Sequence, residues 1–207
     1  MKMKFFIDTH KGATVLVMLA LMIAYTRWRD ATAWVYLSLH GTYGLLWAAK
    51  SRLFPDRDWA KGVSWLFGVV VIWGGLTTYW VAGWIVFTRS VVAPGWLLGL
   101  GTFLFSVGVF FHFGADMQKF TALAARSDAL ITIGFFRLSR NPNYFGELLI
   151  YLGFSLLAMH WLPIAILAVW VGGGWISRMI RKDRSLARYS GFAEYKRRTR
   201  MLVPFVV

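Results

Sequence analysis

The sequence has no cysteine, which excludes disulfides, thiolate metal sites and thiol nucleophiles. Acid is almost as scarce: nine Asp and Glu stand against 23 Lys and Arg, giving a formal net charge of +14. In a chain that is 58% hydrophobic and 18% aromatic, this excess reads as membrane-flanking loops that face anionic lipid. It does not read as a nucleic-acid surface, because no basic stripe lies on a soluble domain. No GxGxxG follows a strand pattern, and GxxxxGK[ST] and GxSxG are missing, which excludes a soluble-type nucleotide domain and a hydrolase elbow. The four His are scattered without HExxH-like spacing, so no metal site is expected. No small-residue cleavage site follows the first apolar stretch, so that stretch reads as a retained span.

What the chain does have is long apolar runs. Windows near the length of a bilayer crossing fall at 12–26, 32–49, 62–87, 93–115, 144–160 and 161–178, each bounded by charge, Pro or Gly. They predict an all-α integral membrane protein with about six transmembrane helices in a single membrane domain, 1–207. Pro163, in the first turn of the last window, predicts a tight hairpin between the last two. Placing both termini on one side leaves only Arg27, Arg29 and Arg89 of the 23 cations on the other. That bias predicts cytoplasmic N- and C-termini. The tail from Arg178 mixes Met179, Ile180, Leu186 and Tyr189 with cations, as a basic helix at the cytoplasmic interface would; a solvated tail or headgroup anchor has the same charge.

Three clusters carry groups that apolar spans do not need. Arg137-Leu-Ser-Arg140-Asn141-Pro142-Asn143-Tyr144-Phe-Gly-Glu147 sets guanidiniums, amides, a phenol and a carboxylate at the mouth of the fifth window. There Asn141 suits a helix cap, and Arg137 and Arg140 suit phosphate oxygens. Glu147 lies about one turn inside the span, where a carboxylate faces either a polar cavity or a cationic partner. His112 and Asp116, at i and i+4, share one helix face and suit an amide, a ribose hydroxyl or an Arg, or simply end a helix. His40 and Tyr43 share a face of the second window and suit either a buried carbonyl or interhelical hydrogen bonding.

Pro142-Asn-Tyr-Phe-Gly-Glu147, the apolar hairpin after it, and the ending Tyr195-Lys-Arg-Arg198-Thr-Arg-Met-Leu-Val-Pro-Phe205 together resemble the C-terminal domain of the steroid 5-alpha-reductase family. The resemblance reaches back to His112–Asp116, where that family has an amide four residues before an Asp, and so covers a core of about 110–207. The isoprenylcysteine carboxyl methyltransferases and related phospholipid methyltransferases share this fold. Asn141 stands where they have His, and Lys182-Asp183 where they have Glu-Glu.

The resemblance implies an NADPH-dependent oxidoreductase of lipid metabolism that reduces a carbon–carbon double bond in an apolar, steroid- or lipid-like enone. It implies a cofactor held by His112, Asp116, Arg137, Arg140, Asn141, Asn143, Tyr144 and Glu147 and by tail groups at Arg178, Arg181, Lys182, Asp183, Tyr195 and Arg198. The cations Arg137, Arg140, Arg178, Arg181 and Lys182 favour a nucleotide with a 2'-phosphate over the sulfonium of S-adenosylmethionine. Tyr43 or His40 is the expected carbonyl-polarising group. A methyltransferase using S-adenosylmethionine on a lipid or prenylated substrate, and a non-catalytic lipid- or sterol-binding protein, are the alternatives. The expected partners are membrane lipids and an apolar small molecule, with no nucleic acid. The charge bias makes a direct prediction: a reporter fused after Val207 will be active only in the cytoplasm, and activity only outside it would overturn the orientation.

Overall fold

The computed structural model describes residues 1–206, apart from the Arg57 side chain; Arg57 and Val207, both used in the orientation argument, lie outside the described residues in these respects. Among the described residues every regular element is helical: α1 Met3–Ala24, α2 Ala31–Leu53, α3 Trp65–Thr88, α4 Gly95–Ala125, α5 Pro142–Leu157, α6 Trp161–Leu186 and α7 Phe192–Arg198. Of these, α1, α3, α4 and α6 are long and apolar enough to cross a membrane. α5, with 16 residues, measures about 24 Å at 1.5 Å per residue, short of a typical hydrocarbon core of roughly 30 Å. The chain divides into two compact units, one of residues 1–105 and 151–167, the other of 106–150 and 168–207.

In the first unit, α1 and α2 are joined by Tyr25–Asp30. The Asp30 side chain accepts from Thr32 N–H at 2.8 Å to cap α2, and it also pairs with Arg27. Thr32 in turn accepts from Ala93 N–H at 2.8 Å, fixing the segment before α4. The α1–α2 contact is close at Gly44, where an added Cβ would run into the Lys11 carbonyl. α3 is irregular. It winds as a π-helix over Gly68–Trp73 and as a 3-10 turn over Thr78–Trp80. The expected α5–α6 hairpin is present, closed by Met159 at φ +47° and by Leu162 N–H donating to His160 Nδ1 at 3.2 Å.

In the second unit, Gly108 and Gly146 bring the backbones of α4 and α5 together. A Cβ at Gly146 would meet His112 N and the Gly108 carbonyl, and one at Gly108 would meet the Gly146 carbonyl and Ile150. Small residues allow such contact where lipid supplies no hydrophobic drive between helices. Gly146→Ala should therefore destabilise the purified protein by about 1–3 kcal/mol. Gly12→Ala, at a position with nothing within 4 Å, should cost nothing; the two are compared by unfolding in detergent.

Candidate functional site

Most of the candidate residues from the sequence gather in the second unit. On α4, His112 and Asp116 are buried, at 2% and 6% exposure. His112 Nδ1 lies 3.0 Å from the Asn143 carbonyl, so this nitrogen is the donor. Pro142 opens α5, as its preset φ suits a first helical residue. Asn141 does not cap α5 with its side chain as expected. Tertiary partners take that amide instead: Nδ2 donates to the Met201 carbonyl at 2.8 Å and Oδ1 accepts from Lys182 Nζ at 3.0 Å.

The tail is laced to residues 139–141. Arg140 N–H donates to Arg200 O at 2.9 Å, and Ser139 Oγ donates to Leu202 O at 2.9 Å. The Arg140 guanidinium grips Asp183 with Nε 3.1 Å from both carboxylate oxygens, and it reaches the carbonyls of Thr199 at 2.5 Å and Lys196 at 3.4 Å. Both partners of this ion pair are buried. Lys182 Nζ donates to Arg140 O at 2.8 Å as well as to Asn141. Arg140, Asn141, Lys182 and Asp183 thus form a clamp that holds the tail, which is a sufficient reason for their polarity. On the same helix, Arg178 and Arg181 face outward and are exposed. Lys182 and Asp183 turn inward, so the tail cations act as two separate sets.

Beyond the clamp lies a polar cavity of about 1080 Å³ whose lining includes Arg126, Asp128, Thr132, Arg137, Tyr195 and Arg198. Of the expected site residues, Arg137, Tyr195 and Arg198 line it. Tyr195 donates to Phe136 O at 2.8 Å, and burial pushes its phenol up to about 12. Arg126 sits 3.7 Å from Asp128, and Arg198 pairs with Glu194. The Arg137 side chain is exposed and makes no hydrogen bond or ion pair among the described residues, so the cavity keeps one uncompensated guanidinium. Arg126, Asp128, Thr132 and Glu194 were missed in the sequence because only the fold brings the segment after α4 to the tail. Leu138 lines this cavity and also a second, apolar one of about 800 Å³ formed by Phe110, Phe111, Phe113, Met117 and Phe135.

Glu147 and Tyr144 are half-buried on α5, and the Tyr144 ring lies 5.5 Å from Trp175. His40 and Tyr43 belong to the first unit. His40 Nδ1 lies 3.0 Å from Tyr36 Oη, and its ring stacks on Phe154 at 4.3 Å. Tyr43 is fully buried against Trp47, Tyr151 and Phe154, with the Lys11 ammonium 4.4 Å from its ring centre.

The four apolar helices mark a helical membrane protein. Residues 1–199 match the family described as protein of unknown function DUF1295, and the chain belongs to that family. No curated protein matches the chain.

The clamp predicts a contrast. Asp183→Asn, which leaves Arg140 buried without its counter-charge, should cost about 3–5 kcal/mol and expose the tail to protease. Arg181→Gln on the outer face should change stability by less than about 0.5 kcal/mol. A second test uses pH. Because Tyr195 ionises later in the folded than in the unfolded chain, stability should fall as pH rises from about 10 through about 12, and Tyr195→Phe should lose that component.

Proposed function

We propose that the chain is a membrane reductase that uses NADPH to reduce a carbon–carbon double bond of an apolar enone, as its resemblance to the steroid 5-alpha-reductase family implies. The observation that supports this reading best is the polar cavity of the second unit, with three guanidiniums against two carboxylates and Arg137 left without a partner. A guanidinium offers paired donors in a plane, which suits the oxygens of a phosphorylated nucleotide. The aromatic cavity that shares Leu138 offers an apolar co-substrate a place in the same unit. Asp116, Asn143, Tyr144 and Glu147 complete the proposed cofactor-binding set, and the Arg140–Asp183 clamp positions the cavity wall. His40 and Tyr43, the carbonyl-polarising groups expected from the sequence, belong to the first unit and carry no part of this reading of the second.

When bound, NADPH would supply the hydride; the chain's own residues would hold its phosphates and exclude water from the transfer. The same proposal includes six crossings, with α2 and α5 added to the four apolar helices, and both termini cytoplasmic.

A ligand that binds only the folded protein raises its unfolding midpoint. NADPH should do so for the purified protein, and S-adenosylmethionine should not. Arg137→Gln should weaken NADPH by roughly tenfold, the effect of one charge-assisted contact, and should weaken NADH less if the guanidinium meets the 2'-phosphate. Stabilisation by S-adenosylmethionine alone would replace the reductase with the methyltransferase. Stabilisation by neither would favour a binding protein without turnover.

A further inference from the structure

The first unit holds a polar group whose need is unmet. His10 on α1 is buried to 2% exposure between two indoles, stacked on Trp80 at 4.3 Å and edge-on to Trp73 at 4.9 Å. Its Nε2 lies 3.4 Å from Thr77 Oγ1. The single Thr77 hydroxyl proton goes to Trp73 O at 2.9 Å, so in the His10–Thr77 contact the imidazole is the donor. In the neutral ring, Nδ1 then carries a lone pair, and Nδ1 is buried with no hydrogen-bond partner.

The indole and hydroxyl donors of Trp73, Trp80 and Thr14 are engaged elsewhere. Trp73 Nε1–H goes to Thr9 at 3.2 Å, and Trp80 Nε1–H to Thr14 at 3.0 Å. The Thr14 hydroxyl goes to His10 O at 3.1 Å, and the Lys11 ammonium to Tyr151. Turning Trp73, Trp80 or Thr14 to satisfy Nδ1 would break the one bond that each donates. An unmet buried acceptor is destabilising, and a ligand's donor would relieve it.

The surroundings suit a ligand that arrives from the bilayer. Trp73, Thr77 and Trp80, which cover His10, are only half-buried, so one layer of side chains separates the imidazole from the surface. Trp73 ends the π stretch of α3 and Trp80 ends its 3-10 turn, with Thr77 in the helical turn between them, and such departures from regular helix are common at functional sites. His10 lies only about 10 Å along α1 from its Met3 end, near the end of this apolar helix and not at its middle.

We propose that the first unit binds an apolar, membrane-dissolved alcohol, whose hydroxyl donates to His10 Nδ1 beneath Trp73, Thr77 and Trp80 while its chain extends along α3 into lipid. This site is independent of the nucleotide reading and stands or falls without it.

The test titrates the purified full-length protein with dodecanol and with a methyl ether of matched length, following the unfolding midpoint. The alcohol should bind saturably and about tenfold more tightly than the ether, the share of one hydrogen bond. His10→Phe keeps a ring against Trp80 and should remove that preference. Equal binding of alcohol and ether, or a preference that survives His10→Phe, would overturn the proposal. Binding of neither would also overturn it and leave Nδ1 to a buried water only. Should His10→Phe fail to fold, nitrogen NMR of the wild-type protein with isotope-labelled histidine decides. One unprotonated ring nitrogen should move with alcohol and not with ether; no such movement counts against the site.

Discussion

Three stretches far apart in sequence, 139–141, 182–183 and 196–202, meet around Arg140 and its two neighbours. Arg140 takes both oxygens of Asp183 and the carbonyls of Lys196 and Thr199, and its own backbone carbonyl receives Lys182. Burying two charges is costly, and the geometry answers that cost by satisfying them from several directions at once. Removing either partner would leave a charge stranded. The second unit therefore depends on this contact for the course of its tail, and the tail supplies Tyr195, Arg198 and Thr199 to the polar cavity.

The helices were legible because lipid demands it: backbone groups in a bilayer must be satisfied within the segment, so apolar runs of sufficient length become helices. Pro142 and Pro163 marked the starts of α5 and α6 for the same local reason. The beginning of α1 was misjudged. Lys11 reads as the charged boundary of a window that starts after it, whereas the helix begins at Met3 and buries that ammonium among the rings of Tyr43, Trp47, Tyr79 and Tyr151. Hydropathy cannot see a cation that aromatic faces and a phenol will accept.

The candidate residues stood out in the sequence as a set, and their geometry did not. The Arg137–Glu147 stretch stood out because apolar spans have no use for it, yet neighbours in that stretch serve different ends. Arg140 and Asn141 bind the tail, while Arg137 faces the cavity. The tail cations divide in the same way, because two positions along a helix, about 200° of rotation, are enough to send Arg181 outward and Asp183 inward. Arg140 and Asp183 are 43 positions apart, and no periodicity links them.

Under the proposed function, the second unit holds a phosphorylated nucleotide in the cavity walled by its tail. Hydrogen–deuterium exchange of the purified protein with and without NADPH tests it most directly. The prediction is slowed exchange in residues 126–138 and 189–199, which line that cavity. Unchanged exchange there at saturating NADPH, or the same protection produced by S-adenosylmethionine, would contradict it.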